Sequence, residues 1–178
     1  MLERAEAVAR SLSVGPGIER SAFGANMGAM VSDGQRDRAV QMVATAQEQN
    51  AKLVAGGHAL NRAGAFMEPT VLSATPDMDI VREEVFGPVL SVMPFRNDAE
   101  AIEIANGTDY GLVAGVFTAD LDRATTAARA LRAGQVFVNE WYAGGVETPF
   151  GGYGKSGYGR EKGREALWNY VQTKNVAV

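Results

Sequence analysis

From residue 89 to residue 139 the chain alternates strand, helix, strand, helix, strand, and this rhythm narrows its fold more than any other feature. Residues 89–95 (VLSVMPF) and 112–118 (LVAGVFT) are apolar runs of strand length, and 135–139 (QVFVN) is a third. Asn97 followed by Glu100 forms a capping pair for a helix reaching about Ala105. Asp120 caps a second helix through Leu131, which ends before Gly134. Strands that are apolar throughout, instead of alternating, belong to parallel sheets covered on both faces and joined by right-handed crossovers. The expected fold is therefore α/β, an open parallel βαβ sheet. Such sheets place ligand sites at the carboxyl ends of their strands, here Phe95, Thr118 and Asn139.

The flanks are less regular. Leu2, Ala5, Val8, Ala9 and Leu12 recur at helical spacing with no Ser, Thr, Asp or Asn ahead of them to cap the helix. Two readings stay open at this point: a frayed terminal helix, or the downstream part of a longer protein. A Gly-rich loop from Gly15 to Gly28 follows. A helix then starts near Ser32 and Asp33 and runs to about Asn50, with Val40, Val43, Ala44, Gln47 and Ala51 on one face. Residues 52–55 form a short strand stopped by Gly56 and Gly57, and 66–72 are extended because Pro69 excludes a helix. Residues 77–84 hold a short helical segment. Residues 160–170 read as a helix weakened by Gly163. Residues 171–178 alternate as a final strand with neither face cleanly apolar, the pattern of a strand that pairs at a sheet edge, sometimes with another subunit.

Charge and composition exclude several classes. The 178 residues carry 17 basic and 21 acidic side chains, a net charge of -4, which argues against a nucleic-acid partner. No apolar run approaches the ~20 residues that span a bilayer, and Glu3, Arg4 and Glu6 occupy the place where a secretory signal needs its apolar stretch. A cytoplasmic location with no membrane partner is the expectation. There are no cysteines and one histidine. That leaves no disulfide, thiolate metal site or cysteine nucleophile, and no metal site is expected. His58, beside two glycines and without acidic neighbours at ligand spacing, reads as a surface residue.

Glycine is in excess, 21 residues, concentrated in the stretch from 144 to 163. Three phosphate or nucleophile motifs almost fit there, and each fails. Gly152-Tyr-Gly-Lys-Ser-Gly157 matches GxGxxG, but no strand directly precedes it and no acidic residue follows ~20 positions on. Gly154-Lys155-Ser156 resembles the end of a Walker A loop whose first glycine is here Pro149. A GxSxG elbow fails at Tyr158. The adjacent Glu83 and Glu84 before a Gly-Pro turn read either as a solvated helix end or as a carboxylate offered to the two hydroxyls of a ribose.

Five segments in order resemble the aldehyde dehydrogenase superfamily. Glu83-Glu-Val-Phe-Gly-Pro-Val89 is similar to its EE(I/V)FGPV motif, and Phe66-Met-Glu-Pro-Thr-Val-Leu72 to its (Y/F)xxPTV segment. Residues 106–117, with Tyr110-Gly-Leu112, resemble Nxxx-YGL. Gly134-Gln-Val-Phe-Val-Asn139 and Pro149-Phe-Gly-Gly-Tyr-Gly-Lys-Ser-Gly-Tyr-Gly-Arg-Glu161 resemble Gx(V/I)x(V/I)N and PFGGxxxSGxGRE.

The resemblance implies a specific chemistry. In the family a cysteine thiolate attacks an aldehyde, the thiohemiacetal passes hydride to NAD(P)+, and a glutamate-activated water hydrolyses the thioester. By the motif match Glu84 binds the nicotinamide-side ribose and Phe86 packs near the nicotinamide, while Gln35 and Arg38 stand where the family has residues that contact the cofactor. Asn139, Trp141, Tyr142 and Phe150 fall at the aldehyde pocket. The nucleophilic cysteine, the oxyanion-stabilising asparagine, the general-base glutamate of the ELGG context and the dinucleotide-binding domain lie upstream of anything matched. The resemblance thus implies a C-terminal portion: residues 1–158 part of a catalytic domain, and 159–178 a helix and strand for homo-oligomerisation. It also implies NAD or NADP as the cofactor of the parent enzyme, an aldehyde substrate, and no catalytic residue in this chain. The alternative is a non-catalytic interaction module that self-associates through residues 171–178.

Overall fold

A computed structural model describes residues 1–17 and 26–178. The middle of the Gly-rich loop expected between Gly15 and Gly28 lies outside the described residues. The chain divides into two compact units, Met1–Pro94 and Phe95–Val178. No helix among the described residues is long and apolar enough to cross a membrane.

The first unit is a three-stranded sheet with helices on both faces. Helix α1 (Leu2–Ser11) begins at Met1 with no side-chain cap, as the missing capping residue predicts. Helix α2 (Asp33–Glu48) starts where Ser32 Oγ accepts from the Gln35 N–H at 3.2 Å. It ends in a Schellman turn: Asn50 takes φ +72°, its N–H donates to Gln47 O, and the Ala51 N–H donates to Ala46 O. Its buried stripe is Ala39, Val43 and Ala46. The expected face containing Ala44 and Gln47 is corrected by one position, leaving Val40 and Ala44 half-buried at its edge and Gln47 exposed.

Strand β1 (Lys52–Ala55) pairs antiparallel with β2 (Thr70–Ser73), with a register shift between Leu53 and Ala55, and β2 pairs in parallel with β3 (Val89–Val92). The middle strand is buried on both sides. Val71 joins Ala55 and Ala9 under α1, while Leu72 joins Val43, Ala46 and Met67 under α2. Successive strand residues face opposite ways, so the run TVLS supplies both cores. Thr70 is the buried polar residue, and its hydroxyl donates to Glu68 O (2.8 Å) and accepts from the Gly57 N–H (2.9 Å). A short helix α3 (Asp79–Arg82) is tied to the end of α2, Gln49 bonding both the Asp79 N–H and its carboxylate.

In the second unit α4 (Asp98–Ala105) is capped by Asn97, whose Oδ1 accepts from the Glu100 N–H at 3.0 Å. The reciprocal half of the expected capping box shifts by one residue, because the Glu100 carboxylate takes the Arg96 N–H (2.6 Å). After the two-residue β4 (Tyr110–Gly111), β5 (Val113–Val116) leads into α5 (Leu121–Ala130). Asp120 Oδ1 caps α5 at the Asp122 and Arg123 N–H groups. Strand β6 (Gln135–Val138) pairs in parallel with β5, and β7 (Tyr153–Gly154) returns antiparallel to β4.

The α/β class holds, but the single parallel sheet does not. The three expected strands take partners in different sheets, β3 with β2 and β5 with β6; the three-stranded sheet is mixed and the β5·β6 pair is parallel. Apolar patterning marks a segment as a strand without naming its neighbour, and β3, β5 and β6 are mostly half-buried instead of covered on both faces. Two further expectations are corrected. Residues 160–170 form only a 3-10 turn, Glu165–Tyr170, because Lys162 (φ +58°) and Gly163 (φ +60°) enter the left-handed region. Residues 171–178 form no strand, since a strand requires a ladder partner and none is offered among the described residues.

Three carboxylates, Asp98 and Asp109 exposed and Glu100 half-buried, bear on acid stability. Asp98 is hydrogen-bonded to Arg123 (2.8 Å), Glu100 to Arg96 and Asp109 to Lys155, and each titrates below its ordinary value for that reason. The folded state therefore binds these protons later than the unfolded chain. Their support is whole above the unfolded values of 3.8 and 4.5 and is lost as pH falls through the lowered folded values. Exposed pairs contribute little and are screened by salt. The melting temperature of Asp98→Asn should lie slightly below that of the wild type at pH 7 and approach it as pH falls below 3.8. Equal separation at neutral and at acid pH would contradict the assignment.

Candidate functional site

The residues that the motifs single out gather in two places, one in each unit. In the first unit, Gln35 and Arg38 stand one turn apart on α2 and reach the segment that follows α3. Gln35 Nε2 donates to Val85 O (3.1 Å) and Phe86 O (3.0 Å), and Arg38 Nη1 donates to Glu84 O (3.2 Å) and Val85 O (3.1 Å). Three consecutive carbonyls outside any helix or strand are thus held by two side chains. The clasp leaves Glu84 exposed and the Phe86 ring 74% exposed, with Phe86 at φ +51°. A non-glycine residue in the left-handed region persists only where its surroundings over-determine it, and the clasp supplies that constraint. Gly87 fits closely beneath, where a Cβ would stand 3.1 Å from Ala39. All four cofactor candidates are assembled here, with Gln35 Nε2 and Arg38 Nη1 engaged on backbone carbonyls.

In the second unit, Thr118 and Asn139 lie side by side at the carboxyl ends of β5 and β6. The Thr118 N–H donates to Asn139 Oδ1 and Asn139 Nδ2 donates to Thr118 O, both at 2.8 Å. The side-chain amide thus imitates one more rung of the ladder while the Asn139 backbone turns out at φ +54°. Beyond it, Trp141 packs edge-on against the buried Phe137 (centroids 6.0 Å apart) and over Gly115, and Tyr142 (φ +64°) packs at 6.4 Å from Phe137. Both rings remain 64% exposed. Phe150 is held by two backbone hydrogen bonds to Glu161, each 2.7 Å. Lys162 lies over Tyr142 and Phe150, its Nζ 5.8 and 5.7 Å from the two centroids. All four pocket candidates come together in this corner.

The sequence reading missed two participants. Thr118 was placed only at a strand end, and its pairing with Asn139 depends on the β5·β6 register. Lys162 follows Arg160-Glu161 of a recognisable motif, but nothing in its spacing marks it. Removing the Asn139 amide should cost about 1 kcal/mol for its exposed hydrogen bonds. Asn139→Gly, which keeps the positive φ, isolates that loss in urea denaturation, and Asn139→Ala should cost more because it adds backbone strain. Equal stability of the two variants would refute the strain.

The glycine-rich segment serves architecture. Lys155 pairs with Asp109 (2.7 Å) and Ser156 Oγ accepts from the Gly111 N–H (3.1 Å), so both polar residues of the would-be phosphate loop are engaged within the fold. His58 is exposed, as expected. An apolar groove of about 640 Å³ beside α1, lined by Ala5, Val8, Leu12, Val71 and Leu90 among others, carries no catalytic chemistry.

The fold defines an α/β protein whose motif residues converge at strand ends and at a clasped turn. The family model of the aldehyde dehydrogenase family matches residues 1–176, and the chain belongs to that family. It is 41% identical over 179 residues to a betaine aldehyde dehydrogenase of Cereibacter sphaeroides, covering 100% of this chain and 36% of that protein. It is 43% identical over 156 residues to aldehyde dehydrogenase, cytosolic 1, of Mus musculus, covering 87% of this chain and 31% of the relative. The NAD+ complex of aldehyde dehydrogenase from Bacillus cereus superposes with a TM-score of 0.90 at 38% identity, over 96% of this chain and 34% of that one. The chain spans about a third of the length of these relatives.

Proposed function

We propose that the chain is the C-terminal portion of an NAD(P)-dependent aldehyde dehydrogenase, an enzyme that oxidises an aldehyde to a carboxylic acid, and that alone it is inactive. The observation that carries the proposal is the absence of cysteine from all 178 residues, in a chain of a family whose motifs point to thiolate chemistry. Removing the nucleophile from a cooperating set of groups leaves little rate enhancement. The comparisons give the share of the relatives that is matched. The assignment to their downstream part rests on the order of the motifs, and the exposed apolar groove beside α1 supports a chain that packs against further protein.

Within the whole enzyme, bound NAD(P)+ supplies the hydride acceptor. The fit of this chain to that group is partial: the clasp exposes a carboxylate suited to ribose hydroxyls and a ring suited to a flat heterocycle, both on one turn. Glu84 would accept from the hydroxyls and Phe86 would cover one side of the nicotinamide, with Gln35 and Arg38 positioning both. Asn139, Trp141, Tyr142 and Phe150 would shape the aldehyde pocket. Residues 1–158 then belong to the catalytic domain and 159–178 to an oligomerisation tail, a functional division that cuts across the second compact unit. A cytoplasmic location fits this reading, one relative being named as cytosolic.

The test is NADH or NADPH formation with a panel of aldehydes that includes betaine aldehyde. No turnover above a buffer blank is expected, and steady turnover by the chain would sink the claim. Reading the coding sequence on both sides of residues 1–178 decides the placement. An in-frame ELGG segment and a cysteine-bearing loop should precede Met1; finding them after Val178 would reverse it.

A second reading, a non-catalytic interaction module, is favoured by the exposed Leu167, Trp168 and Tyr170 beside the unpaired residues 171–178. Homo-oligomerisation through that tail is common to both readings. Sedimentation should show self-association that disappears when 171–178 are deleted; a monomer in both cases would count against it.

A further inference from the structure

The geometry points to Lys162 as a specificity determinant that equips the Tyr142–Phe150 corner to bind a carboxylate, so that the substrate class is an aldehyde carrying an anionic group. This rests on the proposed reading of Asn139, Trp141, Tyr142 and Phe150 as the aldehyde pocket.

Three observations carry it. The first is the mount. Both neighbours of Lys162 are pinned to the pocket loop: Glu161 exchanges two backbone hydrogen bonds with Phe150, and the Gly163 N–H donates to Val146 O at 2.8 Å. Between these anchors Lys162 takes φ +58°. Glycine would adopt that backbone at no steric cost, and lysine adopts it against its preference. The position holds a strained residue that bears a charge.

The second observation is where the charge lies. The Lys162 ammonium is within 6 Å of two ring centroids, Tyr142 and Phe150, both assigned to the pocket. Ring faces attract the cation but give its three N–H donors no strong acceptor. Lys162 is half-buried, and it forms no ion pair among the described residues. The third is that two nearby cations of the same segment, Arg160 and Lys155, are committed elsewhere. Arg160 donates to Gly152 O and Gly159 O and lies over Tyr153, and Lys155 pairs with Asp109. A carboxylate entering the corner meets Lys162, with apolar ring surface to take its alkyl chain.

Butyrate and its neutral isostere butyramide are suitable probes, titrated into the full chain at pH 7 and constant ionic strength. The readout is the NMR resonances of the Asn139 side-chain amide and the Phe150 ring. Butyrate should shift both saturably and bind about tenfold more tightly than butyramide, the worth of one charge-assisted contact. Lys162→Met should bring butyrate down to the level of butyramide, and Lys162→Arg should keep the preference. If Lys162→Met fails to fold, the butyrate–butyramide comparison in the wild type decides. Equal binding of the two probes, or tighter binding of tetramethylammonium at the same resonances, would overturn the anionic class and leave the pocket reading standing. Shifts by none of the three would overturn both.

Discussion

Replacing Leu72 with alanine is expected to lower the unfolding free energy of the first unit by about 2–5 kcal/mol, the cost of truncating a fully buried leucine. Leu72 is 0% exposed in the middle strand and packs with Val43, Ala46 and the 1%-exposed Met67. Its surroundings are rich in alanine, which has no side-chain length to move into the space, so the site collapses poorly. Urea unfolding followed by circular dichroism measures the loss. Leu90→Ala is the control, because Leu90 is 52% exposed on β3 and should cost under about 1 kcal/mol by the smaller apolar area involved. A Leu72→Ala loss no larger than that of the control would show that β2 is not the centre of the core.

Gly134→Ala is expected to undock the glycine-rich segment from the second unit. A Cβ at Gly134 would overlap the Gly151 carbonyl, so two backbones meet where no side chain fits. The same segment is held by Ser156 to Gly111 and by Lys155 to Asp109, and those contacts weaken with it. Overpacking of this kind costs about 1–3 kcal/mol, and more when the obstacle is backbone. Faster proteolysis between residues 144 and 163 would report the release. Gly28→Ala meets no atom of the described residues within 4 Å of its Cβ and should stay within about 0.5 kcal/mol of the wild type. A Gly134→Ala chain as protease-resistant as the wild type would remove the close approach as the reason for glycine there.

Much of the fold was legible in the residues, for local reasons. Ser32, Asn97 and Asp120 each announce a helix start because a short side-chain acceptor satisfies N–H groups two or three residues on, and all three do so here. The missing cap before Leu2 was legible by the same rule. The apolar runs at 89–95, 112–118 and 135–139 were read correctly as strands. Their assembly into one sheet was not, because pairing β3 with β2 and β5 with β6 depends on contacts between distant segments. Residues 171–178 find no ladder partner within the described chain, since alternation describes one strand and a ladder needs two.

The candidate site divides along the same line. Glu84, Phe86, Asn139 and Phe150 could be named from their motifs, and the absence of cysteine, on which the proposal of inactivity rests, is a property of composition alone. The roles of the residues around them were not readable. Gln35 and Arg38 clasp the 84–86 carbonyls through hydrogen bonds spanning 46 to 51 positions, and Asn139 finds Thr118 across 21. Lys162 reaches Tyr142 and Phe150 only because its neighbours are bonded to the loop that carries them. The sequence by itself determined the family, the helix starts, the strand segments and the absence of cysteine, since each depends on residue type or on spacing within a few positions. Only the tertiary structure decided which strands pair, which donors are consumed and where the lysine lies, because those follow from side chains meeting across long stretches of chain.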